Sequence, residues 1–139
     1  MAHEQLALDR VEALWRACGA VVTRMSAERH DRIFSAVSHL PHVLAYVLVH
    51  AMAGRTDSGD LFRFAAGGFR DFTRIAGSSP EMWRDISLAN RQALLSDLNA
   101  YRERLGELAG MIEREDSNAI EQVYAIAREA RSQWLQGKK

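Results

Sequence analysis

SSPEMWRDISLANRQALLSDLNAYRERLGELAGMIERE, residues 78–115, is the stretch on which the fold turns. It opens as a helix start, with a serine cap, Pro80 in the first turn and Glu81 near the positive end of the dipole. From there to about Glu115 the only breakers are Gly106 and Gly110, while Met82, Ile86, Leu94, Leu98, Leu105 and Ile112 carry apolar surface along its length. One helix of that length spans roughly 54 Å. A compact domain of this size is only about 37 Å across. The helix would overhang its own subunit, and a second copy of the chain is the simplest cover. The pattern predicts a helical homodimer joined through the long helices.

The rest of the chain reads the same way. Ser26 is an N-cap for a long helix from about Ala27 to about Ala53, with Ile33, Val37, Leu40, Leu44 and Leu48 at helical spacing. Pro41 lies inside it and should kink it near Val37–Leu40. A polar loop at 54–59 precedes two short helical pieces, around 60–66 and 69–76, parted by Gly67 and Gly68. After a break at Asp116–Asn118, a last helix is expected from about Ala119 to Gln136.

At the other end, residues 4–18 read as a helix capped by Gly19. Residues 20–25, Ala-Val-Val-Thr-Arg-Met, form the one convincing strand signal. A lone strand leaves its backbone groups without partners, so either it pairs with a partner chain or, the favoured reading, it is the last strand of a sheet that these residues do not contain. The fold class predicted is all-α: one kinked helix, one long helix, and a leftover helix and strand.

Composition narrows the functions. The 139 residues hold 18 basic and 18 acidic groups, so the formal net charge is zero. A nucleic-acid binder or membrane-surface protein carries a basic excess, and none is found here. No run of about 18 apolar residues is evident and no signal pattern opens the chain, so neither membrane nor nucleic acid is an expected partner. One cysteine, Cys18, excludes an intramolecular disulfide and points to a reducing, cytoplasmic setting. Sixteen of the basic residues are arginine, and the only lysines are Lys138 and Lys139.

Two clusters could carry chemistry. His30-Asp31 and Ser38-His39-Leu40-Pro41-His42 put three imidazoles on one otherwise apolar helix, where burial demands partners for them. In a regular helix Ser38 and His42 share a face and His39 points elsewhere. A metal centre would need further ligands, and upstream there is only His3, so no metal is expected. The second cluster, Gly67-Gly68-Phe69-Arg70-Asp71-Phe72-Thr73-Arg74, sets two arginines four residues apart, shortly before the helix start at Ser79. Arginine holds a carboxylate through two parallel hydrogen bonds, and helix N-termini attract anions. Asp71 would orient or neutralise Arg74. On these residues alone the chain offers an anion-binding surface with histidines and no reaction centre.

Taken together, His30-Asp31-Arg32-Ile33, SHLPH at 38–42, GGFRDFTRIA at 67–76 and PEMWRDI at 80–86 resemble the C-terminal helical domain of the prephenate, arogenate and cyclohexadienyl dehydrogenases. The resemblance runs over about residues 9–135. It implies an enzyme of tyrosine biosynthesis that oxidises prephenate with NAD or NADP, releasing carbon dioxide and giving 4-hydroxyphenylpyruvate. It also implies roles. Arg74 would bind a substrate carboxylate, His42, Ser38 and His39 would sit in the pocket, and Gly67 and Trp83 would line it, partly from the neighbouring subunit. Asp71, Arg70, His30 and Asp31 would form a supporting ion network.

The glycine fingerprint of the nucleotide-binding domain is not in these residues, nor is the histidine that takes the hydroxyl proton. Residues 1–25 are therefore expected to be the end of that domain, and 26–139 the dimerisation and substrate-binding domain. No catalytic residue, no bound cofactor and no turnover are expected of this chain alone; its expected ligand is prephenate or a related aromatic dianion. The competing reading is a non-catalytic module on the same scaffold that senses an aromatic acid or binds a partner.

Overall fold

A computed structural model describes the backbone of residues 2–137 and the side chains of residues 5–137; the side chain of His3, and Lys138 and Lys139, lie outside the described residues. The elements are α1 (Ala2–Ala17), α2 (Ala27–Phe34), a π-turn (Ser35–His39), α3 (Leu40–Ala53), α4 (Ser58–Phe64), α5 (Gly67–Thr73), a 3-10 turn (Arg74–Gly77), α6 (Pro80–Ala89), α7 (Arg91–Glu113) and α8 (Ser117–Gln136). The fold is all-α.

α2, the π-turn and α3 form one rod that organises the rest. Ser26 starts it, its hydroxyl accepting from the Arg29 N–H at 3.2 Å. Pro41 cannot donate a backbone hydrogen bond, and its ring would meet the carbonyl four residues back. The chain widens where the kink was expected. Leu40 N–H reaches back to the Ser35 carbonyl, one residue further than in an α-helix. The rod ends at Gly54, and α4, α5, α7 and the 3-10 turn pack along it. The interior is small: Ala45, Trp83 and Leu94 are its buried apolar residues, joined by buried Ser35 and Asn90.

The helix expected over 80–115 is two helices. Ser79 caps α6, accepting from the Met82 N–H at 3.2 Å, with Pro80 at its first turn. The chain leaves helical geometry at Asn90 (φ −107°, ψ 33°) and restarts as α7. Asn90 breaks the run because its side chain bonds outside its own helix. Even so, the 23 residues of α7 span roughly 35 Å, and much of the second half lies bare, with Leu105 and Ile112 both exposed. α8, begun by Asp116 accepting from the Ala119 N–H at 3.1 Å, packs on α7.

The strand expected at 20–25 is not formed. The segment takes no regular secondary structure and is unpaired, with Val21 95% exposed, because no neighbouring strand offers a ladder of carbonyls and amides. Gly19 ends α1 as expected, at φ +84°, a left-handed conformation that a side chain resists. Arg24 then ties this segment back to α1, donating to Glu12 and to Asp9 at 2.6 Å each.

The continuous helix Ala27–Ala53 is long and apolar enough on average to cross a membrane by length and composition, although Ser, His and Pro interrupt it and it holds no run of about 18 apolar residues. In this fold it is the central rod against which α5, α7 and the 3-10 turn pack, and most of its apolar surface stays uncovered within the protomer. The protomer as a whole is open. Its accessible surface is 11,437 Å², whereas a compact monomer of the same mass exposes about 7,200 Å².

Candidate functional site

Two of the predicted histidines, His39 on the π-turn and His42 on α3, lie against Trp83 of α6. His42 stacks on Trp83, ring centroids 3.7 Å apart and planes 19° from parallel. His39 meets the same indole edge-on at 6.2 Å. Trp83 is 9% exposed, and its Nε1–H has no hydrogen-bond partner among the described residues. An indole N–H shut away from both protein acceptors and water costs about 1–3 kcal/mol.

Both imidazoles are held through Nδ1, in opposite senses. His42 Nδ1 lies 2.8 Å from the Ser38 carbonyl. A carbonyl only accepts, so Nδ1 carries the proton and donates. His39 Nδ1 lies 3.2 Å from the Asn90 amide nitrogen, which also donates to the Asp31 carbonyl at 2.8 Å. Burial pushes the His39 imidazole below its ordinary pKa, and His30 and His42 reinforce the shift against the opposing pull of Asp31. Beside them Ser35, fully buried, donates to Asp97 Oδ2 at 2.5 Å and locks the π-turn to α7.

Arg74 begins the 3-10 turn, which packs on α3, and Tyr46 fixes the turn's end by donating to the Ser78 carbonyl at 2.6 Å. Tyr46 follows His42 by one helical turn, so the arginine segment is tethered to the same side of the rod as the histidine. Between α3 and α6 a cleft of about 240 Å³ is lined by Val43, Tyr46, Val47, Pro80, Trp83 and Arg84.

The expected ion network is not assembled within the protomer. Arg70, Asp71 and Arg74 are exposed and form no ion pair among the described residues. At four residues apart, Arg70 and Arg74 stand beside each other on one short helical run. His30 pairs with Asp31 at 3.1 Å and stacks near Phe34 on α2, separate from the arginines. Gly67 opens α5 with open space where a Cβ would stand, so within one protomer no close approach requires a glycine there. Among the described residues no three His, Cys, Asp or Glu side chains converge as metal ligands. The sequence reading missed Asn90, Ser35, Asp97 and Tyr46. Asn90 had a signal, since asparagine is a favoured helix cap and here interrupts a long helical pattern.

The family model of the prephenate dehydrogenase dimerisation domain matches residues 26–126. The chain belongs to that family. Among prephenate dehydrogenase relatives, the Bacillus subtilis enzyme is 36% identical over 92% of this chain and 35% of its own length. The cyclohexadienyl dehydrogenase of Zymomonas mobilis is 35% identical over 90% of this chain and 43% of its own. Among solved structures, A. aeolicus prephenate dehydrogenase, in complex with hydroxyphenyl propionate and NAD+, superposes with a TM-score of 0.85 at 38% identity, covering 93% of this chain and 46% of that one. The chain thus spans less than half the length of these prephenate dehydrogenase family members.

Proposed function

We propose that this chain is the dimerisation and substrate-binding domain of a prephenate dehydrogenase that acts in tyrosine biosynthesis in the cytoplasm, and that it is inactive alone. The observation that carries the reading is the His42–Trp83 stack, with a buried indole N–H left unpartnered beside it. An aromatic acid would lay its ring near this shelf and present a carboxylate to Arg74, whose guanidinium no carboxylate among the described residues occupies. Ser38, His39 and Gly67 would complete the pocket, with a second copy of the chain closing over it. The ion network of Arg70, Asp71, His30 and Asp31 would then form across the subunit boundary rather than within one protomer.

The homodimer would join through α7 and α8. Exposed Leu105, Ile112, Val123, Tyr124 and Ile126 supply apolar surface there. The surface that exceeds a compact monomer's is roughly 4,000 Å² on each protomer, more than the about 1,000–2,500 Å² that each partner of an obligate dimer buries, so a dimer interface fits within it.

A nicotinamide cofactor does not fit the residues present. The described residues contain no strand, and the chain has no Gly-x-Gly-x-x-Gly turn to receive a pyrophosphate. The cofactor, NAD or NADP, and the hydride and proton transfers would belong to a separate nucleotide-binding domain. We read residues 1–25 as its edge, and the family match beginning at residue 26 supports that division. What these residues themselves do is bind and orient: Arg74 anchors charge, Trp83 and His42 shelve the ring, and His39 offers a neutral polar contact.

Calorimetric titration of the 139-residue chain with hydroxyphenyl propionate tests the reading. Binding that Arg74→Ala weakens about 10- to 100-fold, the worth of a charge-assisted pair, with no turnover of prephenate and NAD+, is the expected result. Undiminished binding by Arg74→Ala, or turnover by the isolated chain, overturns it.

A further inference from the structure

Asparagine at the start of a helix ordinarily turns its side-chain oxygen onto the free amides of the first turn. Asn90 stands at the start of α7 and makes no such bond. Its side chain is 9% exposed and is committed elsewhere. Nδ2 lies 2.8 Å from the Asp31 carbonyl, which can only accept, so the amide's NH2 faces that way. The second hydrogen of the same NH2 is directed at His39 Nδ1, 3.2 Å away. His39 Nδ1 must therefore present a lone pair, and its proton sits on Nε2. Adding a proton at Nδ1 would set two donors against each other.

We propose that Asn90 is a positioning residue that holds His39 neutral with its proton on Nε2, beside a His42 of the opposite tautomer. The neighbouring histidine is locked the other way by the Ser38 carbonyl, with the proton on Nδ1 and Nε2 left to accept. The two rings flank Trp83, so the site offers one donor and one acceptor at imidazole nitrogens that are chemically alike. The charged and titratable groups around His39 are Asp31 and His30 on α2 and His42 on α3, with Asp97 on α7 taken up by Ser35. That the Nε2–H serves a bound ligand rests on the function proposed above; the tautomer assignment does not.

The test is a long-range proton–nitrogen correlation spectrum of the 15N-labelled 139-residue chain. In the wild type, His39 should show an unprotonated Nδ1 and a protonated Nε2, and His42 the reverse in the same spectrum. In Asn90→Asp a carboxylate replaces the donor, so His39 should switch to the Nδ1–H form and its titration midpoint should rise by roughly one unit or more, while His42 keeps its pattern. A wild-type His39 protonated on Nδ1 overturns the proposal whether or not the variant folds, and so does a folded Asn90→Asp protein in which His39 is unchanged. Adding hydroxyphenyl propionate separates the two readings. A shift at His39 Nε2 supports both; no shift, with the tautomers as stated, leaves Asn90's role standing and overturns the pocket.

Discussion

His42 lies flat against Trp83, 3.7 Å between ring centroids, and this contact joins the rod of α2 and α3 to α6. The indole fills the small core while its Nε1–H finds no acceptor among the described residues. Trp83→Ala should therefore lose about 3–5 kcal/mol of stability. Trp83→Phe should stay within about 1 kcal/mol of wild type, because it removes the N–H whose isolation costs about 1–3 kcal/mol. Urea unfolding checks both, and calorimetry should find hydroxyphenyl propionate bound more weakly by the phenylalanine variant.

Ser35 and Asp97 form the second tie between the π-turn and α7. Ser35→Ala leaves a half-buried carboxylate without its donor and should cost about 1–3 kcal/mol. Asp97→Asn keeps a carbonyl oxygen for the hydroxyl, so it should cost less than Asp97→Ala. Equilibrium denaturation of the three variants orders them.

The open surface predicts a concentration-dependent melting temperature, since association stabilises only the folded state. Sedimentation of the wild type at micromolar concentration should give a dimer. Leu105→Glu combined with Ile112→Glu puts two charges on exposed apolar positions seven residues apart on one face of α7. That protein should sediment as a monomer and lose the concentration dependence.

Burial lowers the pKa of His39 from its ordinary value of 6.5. The unfolded chain then binds more protons than the folded one as the pH falls below about 6.5, so stability should drop through that window and level off below the folded pKa. The contribution is complete above pH 6.5 and is lost on acidification. His39→Gln should flatten this part of the profile, read as the urea midpoint between pH 5 and 8.

Most of the helical plan was legible in the sequence, because caps and periodicity are local. Ser26, Ser79 and Gly19 each bound a helix where they were read. The break at Asn90 was not legible. Its cause is an amide bonding to a helix about 59 residues away in sequence, which no local pattern carries. The strand failed for the complementary reason: Val21 and Val22 favour extended backbone, but a strand also needs a neighbour. At the site, His42 and Trp83, both named from the sequence, are in contact. Arg70 and Arg74 form no ion pair among the described residues, on a segment that stays at the surface, and no local sequence pattern carries that.

The wide turn at Ser35–His39 sets the angular phase between the two halves of the central rod. It holds one residue more than a regular turn, and each residue advances a helix by about 100°. Deleting a single residue there would let the hydrogen-bond ladder close as an ordinary helix, locally sound and with every later side chain swung a quarter-turn or more away from α2. Asp31 and His39 would no longer converge on Asn90, though not one of the three had been altered.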